Sequence, residues 1–126
     1  MEITSDELIF LVDDDPSILA ILERHFRRRA FGRVMKFPDG ESCVAHLALQ
    51  PRLVVLDHNL SFQEEALNGF DVFRLIKDLH PLTEVVMMSA QEDGQLVVQM
   101  IRHGVLHYII KDASMIRSLE EAMEEL

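Results

Sequence analysis

Four segments of the 126-residue chain end in side chains that could do chemistry together. Three consecutive aspartates, Asp13, Asp14 and Asp15, close the apolar run LIFLV, and Pro16 follows at once. Asp57 follows LVVL, Ser89 follows VVMM, and Lys111 follows HYII. Packed carboxylates repel, so a helix N-terminus, a basic side chain or a metal ion must offset them. If Asp57 comes alongside Asp13 and Asp14, the three cannot all stay ionised without a cation. Mg²⁺ suits such a group, being hard and octahedral and needing only one or two carboxylates beside its waters. A carboxylate so held, flanked by an ammonium and a hydroxyl, can also receive a phosphoryl group. That transfer rests on positioning and on neutralising the equatorial oxygens, and aspartate is a competent covalent acceptor.

Taken singly, each residue has a plainer explanation. Asp15 before Pro16 reads as a helix N-cap followed by the first helical position. Ser89 with Glu92 three residues on matches a capping box. A lone Lys111 is a solvated lysine, a lone Asp57 a turn residue, and a lone Tyr108 a half-buried strand aromatic with a wet hydroxyl. Capping does not account for Asp13 and Asp14, which precede the cap.

The elements that must position these groups alternate along the chain. Short β-rich runs cover Leu8–Val12, Val34–Phe37, Leu53–Leu56, Val85–Met88 and His107–Ile110. LIFLV, LVVL and VVMM are apolar at consecutive positions, as expected of parallel strands covered on both faces. Helical stripes lie between and after them: Ile18, Ile21, Leu22 and Phe26; Cys43, Val44, Leu47 and Ala48 after Asp39-Gly40; Val72, Phe73, Ile76 and Leu79 before Pro81; Leu96, Val97, Met100 and Ile101 before a Gly104 cap; Ile116, Leu119 and Met123. The pattern predicts an α/β fold of (βα)₅ type, a doubly wound parallel five-stranded sheet, as one domain over residues 1–126. In such sheets ligands bind beyond the carboxyl ends of the strands, where the strand order reverses. The longest patternless gap, Asn59–Asn68, follows directly on Asp57, and long loops in compact domains tend to serve function.

Bulk composition narrows the classes. Net charge is −10, which argues against direct binding of nucleic acid by this domain, since that needs a basic face. Cys43 is the only cysteine, so no internal disulfide is available. The apolar runs are far shorter than the roughly 20 residues that span a bilayer, and the acidic start is unlike a signal peptide. A cytoplasmic protein with no membrane contact is expected. His103 and His107 straddle Gly104 and do not share a helix face, which argues against zinc.

Taken together, the motifs resemble the receiver domain of two-component response regulators, over about Leu8 to Leu126. The matching pieces are LVDDDP, PDGES, LVVLD, NGFDVFRLIK, VVMMSA and HYIIKD, in that order and spacing. The resemblance implies a flavodoxin-like strand order, 2-1-3-4-5. It implies Asp57 as phosphoacceptor, Asp14 as direct Mg²⁺ ligand, Asp13 acting mostly through water, and Asn59 giving the ion a backbone carbonyl. Ser89 and Lys111 would hold the phosphoryl oxygens, and Tyr108 would be the switch aromatic that turns inward as Ser89 moves. The implied partners are a sensor histidine kinase or phosphotransfer protein, and a downstream protein or second receiver on the face of the fourth helix, fifth strand and fifth helix.

Three features depart from the family pattern. Asp57-His58-Asn59-Leu60-Ser61 lacks the usual Met-Pro, and Gly69 comes about four residues late. Lys111 precedes Asp112 instead of proline, so a trans bond is expected, or a strained cis bond if the site demands one, since cis before a non-proline residue costs about 2.5–4 kcal/mol. Val105 stands where alanine is usual. The altered 58–69 loop keeps open a pseudo-receiver that is never phosphorylated and acts by protein contact. A haloacid-dehalogenase-type phosphatase fits less well, because it wants a second Asp two residues after the nucleophile and position 59 is Asn.

Overall fold

The computed structural model describes residues 3–4, 6–29, 32–60, 66–90 and 94–126. The elements run β1 (Leu8–Val12), α1 (Pro16–Arg29), β2 (Arg33–Phe37), α2 (Gly40–Ala45) with a 3₁₀ turn at Leu47–Leu49, β3 (Leu53–Asp57), α3 (Gly69–Leu79), β4 (Glu84–Ser89), α4 (Gly94–Arg102), β5 (His107–Ile110) and α5 (Met115–Met123). The strands form one sheet in the order β2-β1-β3-β4-β5, every pair parallel.

Consecutive apolar residues are needed because alternate side chains enter two separate cores. Phe10, Val12, Val54, Leu56, Val85 and Met87 pack with Cys43 of α2, Phe73 and Ile76 of α3 and Met100 of α4. Ile9, Leu11, Leu53, Val55, Val86 and Met88 pack with Leu22 and Phe26 of α1 and Leu119 and Ala122 of α5. The sheet is therefore covered on both faces. Strand order reverses between β1 and β3, so Val12 and Leu56, register partners near the strand ends, open side by side. Asp13 and Asp57 come next in sequence.

Local signals explain the helix starts. The Asp15 carboxylate accepts the Ser17 N–H at 2.8 Å, with Pro16 as the first helical residue, as expected. Asp39 caps α2 by accepting the Ser42 N–H at 2.7 Å. Asn68 and Asp71 form a reciprocal capping box at α3. The Ser89–Glu92 box lies outside the described residues, as does the segment 61–65 in the gap after Asp57. Gly104, at φ +105°, closes α4, and the Val105 N–H bonds back to the Met100 carbonyl at 3.1 Å.

Several stripe expectations need correction. Ile21 is 46% exposed, Leu79 58% and Ile101 45%, and Ala48 is also exposed. Leu19 takes the inward place on α1, and Met115, Leu119 and Ala122 line the inner side of α5. The second helix does not run unbroken through Leu47. It stops at Ala45 and re-forms as a 3₁₀ turn whose C-cap, Gln50, is left-handed at φ 58°. A hydrophobic pattern constrains which residues can face inward, but the angle at which a helix sits on a twisted sheet decides which do. The Lys111–Asp112 bond is trans. Burial, with a smaller contribution from Asp39, pushes the Cys43 thiol pKa up to about 12, so it packs as a small apolar residue.

His25 on α1 gives a test of this packing. Its side chain is 10% exposed, Glu120 stands 3.9 Å away, and Nε2 has no hydrogen-bond partner among the described residues. Burial holds its pKa below the usual 6.5, against the attraction of Glu120. The unfolded chain then takes up a proton at His25 more readily than the folded one, so folding stability falls as pH drops below the unfolded value of 6.5. His25→Gln should therefore lose less stability than wild type between pH of about 7.5 and about 5.5, read by urea unfolding at each pH.

Candidate functional site

The carboxyl ends of β1, β3, β4 and β5 bring the expected residues to one crevice. Asp13, Asp57 and Ser89 are buried, at 1%, 3% and 2% exposure, while Asp14 is exposed. The Lys111 ammonium lies 2.7 Å from Asp13 Oδ2 and 3.1 Å from Asp57 Oδ1. It reaches them because the Lys111 N–H donates to the Ser89 carbonyl at 2.8 Å, which extends the β4–β5 ladder past its last strand pair. Asp13 Oδ1 accepts the Asp15 N–H at 2.9 Å. Asp57 Oδ1 accepts the Asn59 N–H at 3.2 Å, so Asp57 Oδ2 has no protein partner among the described residues. Asp15 belongs to the helix cap, apart from this group.

Burial, and then the nearby Asp13 carboxylate, raise the Asp57 pKa above the ordinary carboxylate range, despite Lys111 and the Asn59 N–H. For Lys111, burial works against the charge, but its hydrogen bond to Asp13 and the attraction of both aspartates win, and its pKa rises. Lys111 is thus a fixed cation shared by two buried carboxylates, with negative charge left over. One carboxylate oxygen from each of Asp13, Asp14 and Asp57 lies within 4.8 Å of the others. Ligand oxygens opposed across a Mg²⁺ ion are about 4.2 Å apart, so small adjustments or bridging water would let the three share an ion. The donor set, all oxygen and electrostatically unsatisfied, fits Mg²⁺.

Lys111→Met tests the shared cation. Removing one partner of a buried charged group leaves the others uncompensated, at a cost of about 3 kcal/mol. Urea unfolding at neutral pH should show a loss of that order. The gap to wild type should narrow as pH falls, because Asp57, whose pKa burial already raises, can then take up a proton.

Tyr108 lies on β5 and is half-buried. Its hydroxyl is not simply solvated, as a lone strand tyrosine would be, because it is hydrogen-bonded to His58 Nδ1 at 2.9 Å. The two rings meet edge to face, with centroids 5.9 Å apart. His58 is the residue that sequence reasoning missed as a site member. The available signal was its place directly after Asp57, in the run where the family pattern breaks. Burial holds the His58 pKa below 6.5.

Gly69, the first residue of α3, lies against the segment Asp57–His58. Its N–H donates to the His58 carbonyl at 3.0 Å. A Cβ there would stand 2.3 Å from the Asp57 carbonyl oxygen and 2.6 Å from His58 Cα.

Comparison with known proteins settles the family. The response regulator receiver domain profile matches residues 9–124. The chain belongs to the response regulator receiver domain family. It is 31% identical over 108 residues to the DNA-binding response regulator MtrA of Mycolicibacterium smegmatis, covering 86% of this chain and 45% of MtrA. It is 28% identical over 104 residues to the DNA-binding transcriptional regulator NtrC of Salmonella typhimurium, covering 82% of this chain and 21% of NtrC. The NtrX receiver domain of Brucella abortus superposes with a TM-score of 0.78 at 29% identity, covering 94% of this chain and 99% of that one. A CheY-like receiver domain from Methanospirillum hungatei shares the fold at TM-score 0.81 and 20% identity, covering 96% and 94%. The receiver chain thus spans less than half the length of these curated relatives. Because both are named as DNA-binding, the expectation of no nucleic-acid contact has no support beyond the acidic charge of this receiver. Among the described residues no helix is long and apolar enough to cross a membrane.

Proposed function

We propose that this receiver accepts a phosphoryl group on Asp57 from a phosphohistidine of a sensor kinase or phosphotransfer protein, and that the acylphosphate switches its α4–β5–α5 face. The observation that carries the proposal is the shared ammonium: Lys111 lies 2.7 Å from Asp13 and 3.1 Å from Asp57, both buried at the end of the sheet. A purely structural ion pair would not need a second buried carboxylate whose pKa is raised.

Asp13, Asp14, Asp57 and the Asn59 carbonyl would hold Mg²⁺, which supplies charge neutralisation for the transferring group. An Asp57 carboxylate oxygen attacks phosphorus, forming the O–P bond as the N–P bond to the donor imidazole breaks. The Lys111 ammonium then pairs with a phosphoryl oxygen, and the Ser89 hydroxyl donates to another. Added negative charge and strong acceptors at the ends of β3 and β4 pull Ser89 inward, and Tyr108 repositions with it. The face so altered already carries the half-exposed Val98 and Ile101 of α4, apolar surface suited to a protein partner or a second receiver. Such a domain carries a signal and makes no separate product. Residues 1–126 form one unit, and an effector elsewhere in a longer protein would read its state.

Acetyl phosphate with Mg²⁺ tests the reading. The receiver should gain one phosphoryl group per chain by intact-mass spectrometry, and chelating Mg²⁺ should abolish the gain. A chain that gains nothing under either condition is a pseudo-receiver.

A further inference from the structure

His58 stands where three parts of the domain meet. Its N–H donates to the Met88 carbonyl of β4 at 2.8 Å, and its carbonyl accepts the Gly69 N–H at the start of α3 at 3.0 Å. The backbone on either side of the imidazole is therefore pinned, and the ring emerges from a rigid root next to Asp57. The Tyr108 hydroxyl then binds Nδ1 at 2.9 Å. In the sheet, β4 separates β3 from β5. To reach residue 58 just beyond β3, the Tyr108 side chain must extend across β4 from its register partner Met87.

We propose that His58 is the latch that holds the switch aromatic in its inward position, so that the residue after the acceptor couples the state of Asp57 to the α4–β5–α5 face. The proposal rests on the phosphoacceptor reading and adds a residue to it. A tyrosine held by solvent alone would exchange freely between positions. A hydrogen bond to a pinned, half-buried imidazole favours one of them. His58 touches neither the phosphoryl group nor its donor in this reading and acts through Tyr108, as a positioning residue. Residue 58 is thereby a place where the resting balance between inward and outward tyrosine is set.

The chain has one tyrosine and no tryptophan, so a 3-fluorotyrosine label gives a single fluorine resonance that reports Tyr108 alone. The intact protein is compared as wild type, His58→Phe, His58→Asn, Tyr108→Phe and the His58→Phe/Tyr108→Phe double variant. Phenylalanine keeps the ring and removes the nitrogens, whereas asparagine keeps a polar atom at the δ position. In the unmodified protein, His58→Phe should shift or broaden the fluorine resonance, and His58→Asn should restore it towards wild type. With Mg²⁺ and beryllium fluoride as acylphosphate mimic, His58→Phe and Tyr108→Phe should each weaken binding about 3- to 10-fold, as expected for one hydrogen bond. The double variant should be no weaker than either single one. An unchanged resonance in His58→Phe, or effects that multiply in the double variant, overturns the latch. If wild type binds no beryllium fluoride, the acceptor reading fails, and the fluorine arm still decides the latch. Should His58→Phe not fold, His58→Ala, which also removes the ring nitrogens, carries the same comparison against Tyr108→Phe.

Discussion

Asp57→Asn should take up no phosphoryl group from acetyl phosphate and Mg²⁺, while Asp14→Asn takes it up slowly and to the same final stoichiometry. The asymmetry follows from where the charges sit. Asp57 is the buried carboxylate with an oxygen free of protein partners among the described residues, whereas both Asp13 oxygens are engaged, one by Lys111 and one by the Asp15 N–H. Asp14 is exposed and close enough to Asp13 and Asp57 for the three to share an ion, so its loss should weaken ion binding and leave Asp57 in place. Asparagine matches aspartate in size and keeps an acceptor for the Asn59 N–H, but its amide oxygen is a poor nucleophile. Intact-mass spectrometry over time separates the two variants, and phosphorylation of Asp57→Asn at the wild-type rate would remove Asp57 from the role assigned to it. The same variant should be more stable than wild type without Mg²⁺ at neutral pH. A carboxyl whose folded pKa is raised binds protons more tightly when folded, so its ionised form costs stability above that range, and asparagine carries no such charge. Urea unfolding with and without Mg²⁺ checks this, and added Mg²⁺ should stabilise wild type more than the variant.

Gly69→Ala should be the most damaging single methyl addition near the site. The new Cβ would fall 2.3 Å from the Asp57 carbonyl oxygen and 2.9 Å from that of His58. Both are backbone atoms of a strand end that is itself bonded to β4, so neither can rotate away as a side chain would. Relief requires α3 to move off β3, at the expense of the Gly69–His58 hydrogen bond and the packing of Val72 and Phe73 beneath it. Overpacking of this kind costs about 1–3 kcal/mol, occasionally more, and here its direction is known. The helix is pushed away from the residues that follow β3, so uptake of phosphoryl groups at Asp57 should slow as stability falls. Gly94→Ala is the control, since a Cβ there meets nothing within 4 Å and alanine favours a helix over glycine. Thermal unfolding of both variants, with acetyl phosphate uptake beside it, distinguishes the two sites.

The fold and most of the site were legible in the order of residues for a physical reason. Apolar runs on consecutive positions need two covered faces, two covered faces need helices between parallel strands, and such a sheet presents whatever follows its strands at one edge. Asp13, Asp57, Ser89 and Lys111 could therefore be assigned to one crevice before any coordinates. The limits of β1 and β5 follow the residues closely, because a charged side chain, Asp13 or Lys111, ends each apolar run. Helix faces were less legible: Ile21, Leu79 and Ile101 carry the right periodicity yet stand half-exposed, since periodicity does not say how a helix is rotated on a twisted sheet.

What the sequence determined by itself was the chemical inventory and the edge at which it gathers. Tertiary structure alone decided how the charges are shared: one ammonium divided between Asp13 and Asp57, Asp14 left in solvent, and the Tyr108 hydroxyl held by an imidazole fifty positions away in the chain. Such pairings turn on differences of a few tenths of an ångström in the separation of residues remote in the chain. Residue type and spacing set which groups can meet, and the packing of β3, β4, β5 and α3 sets which of them do.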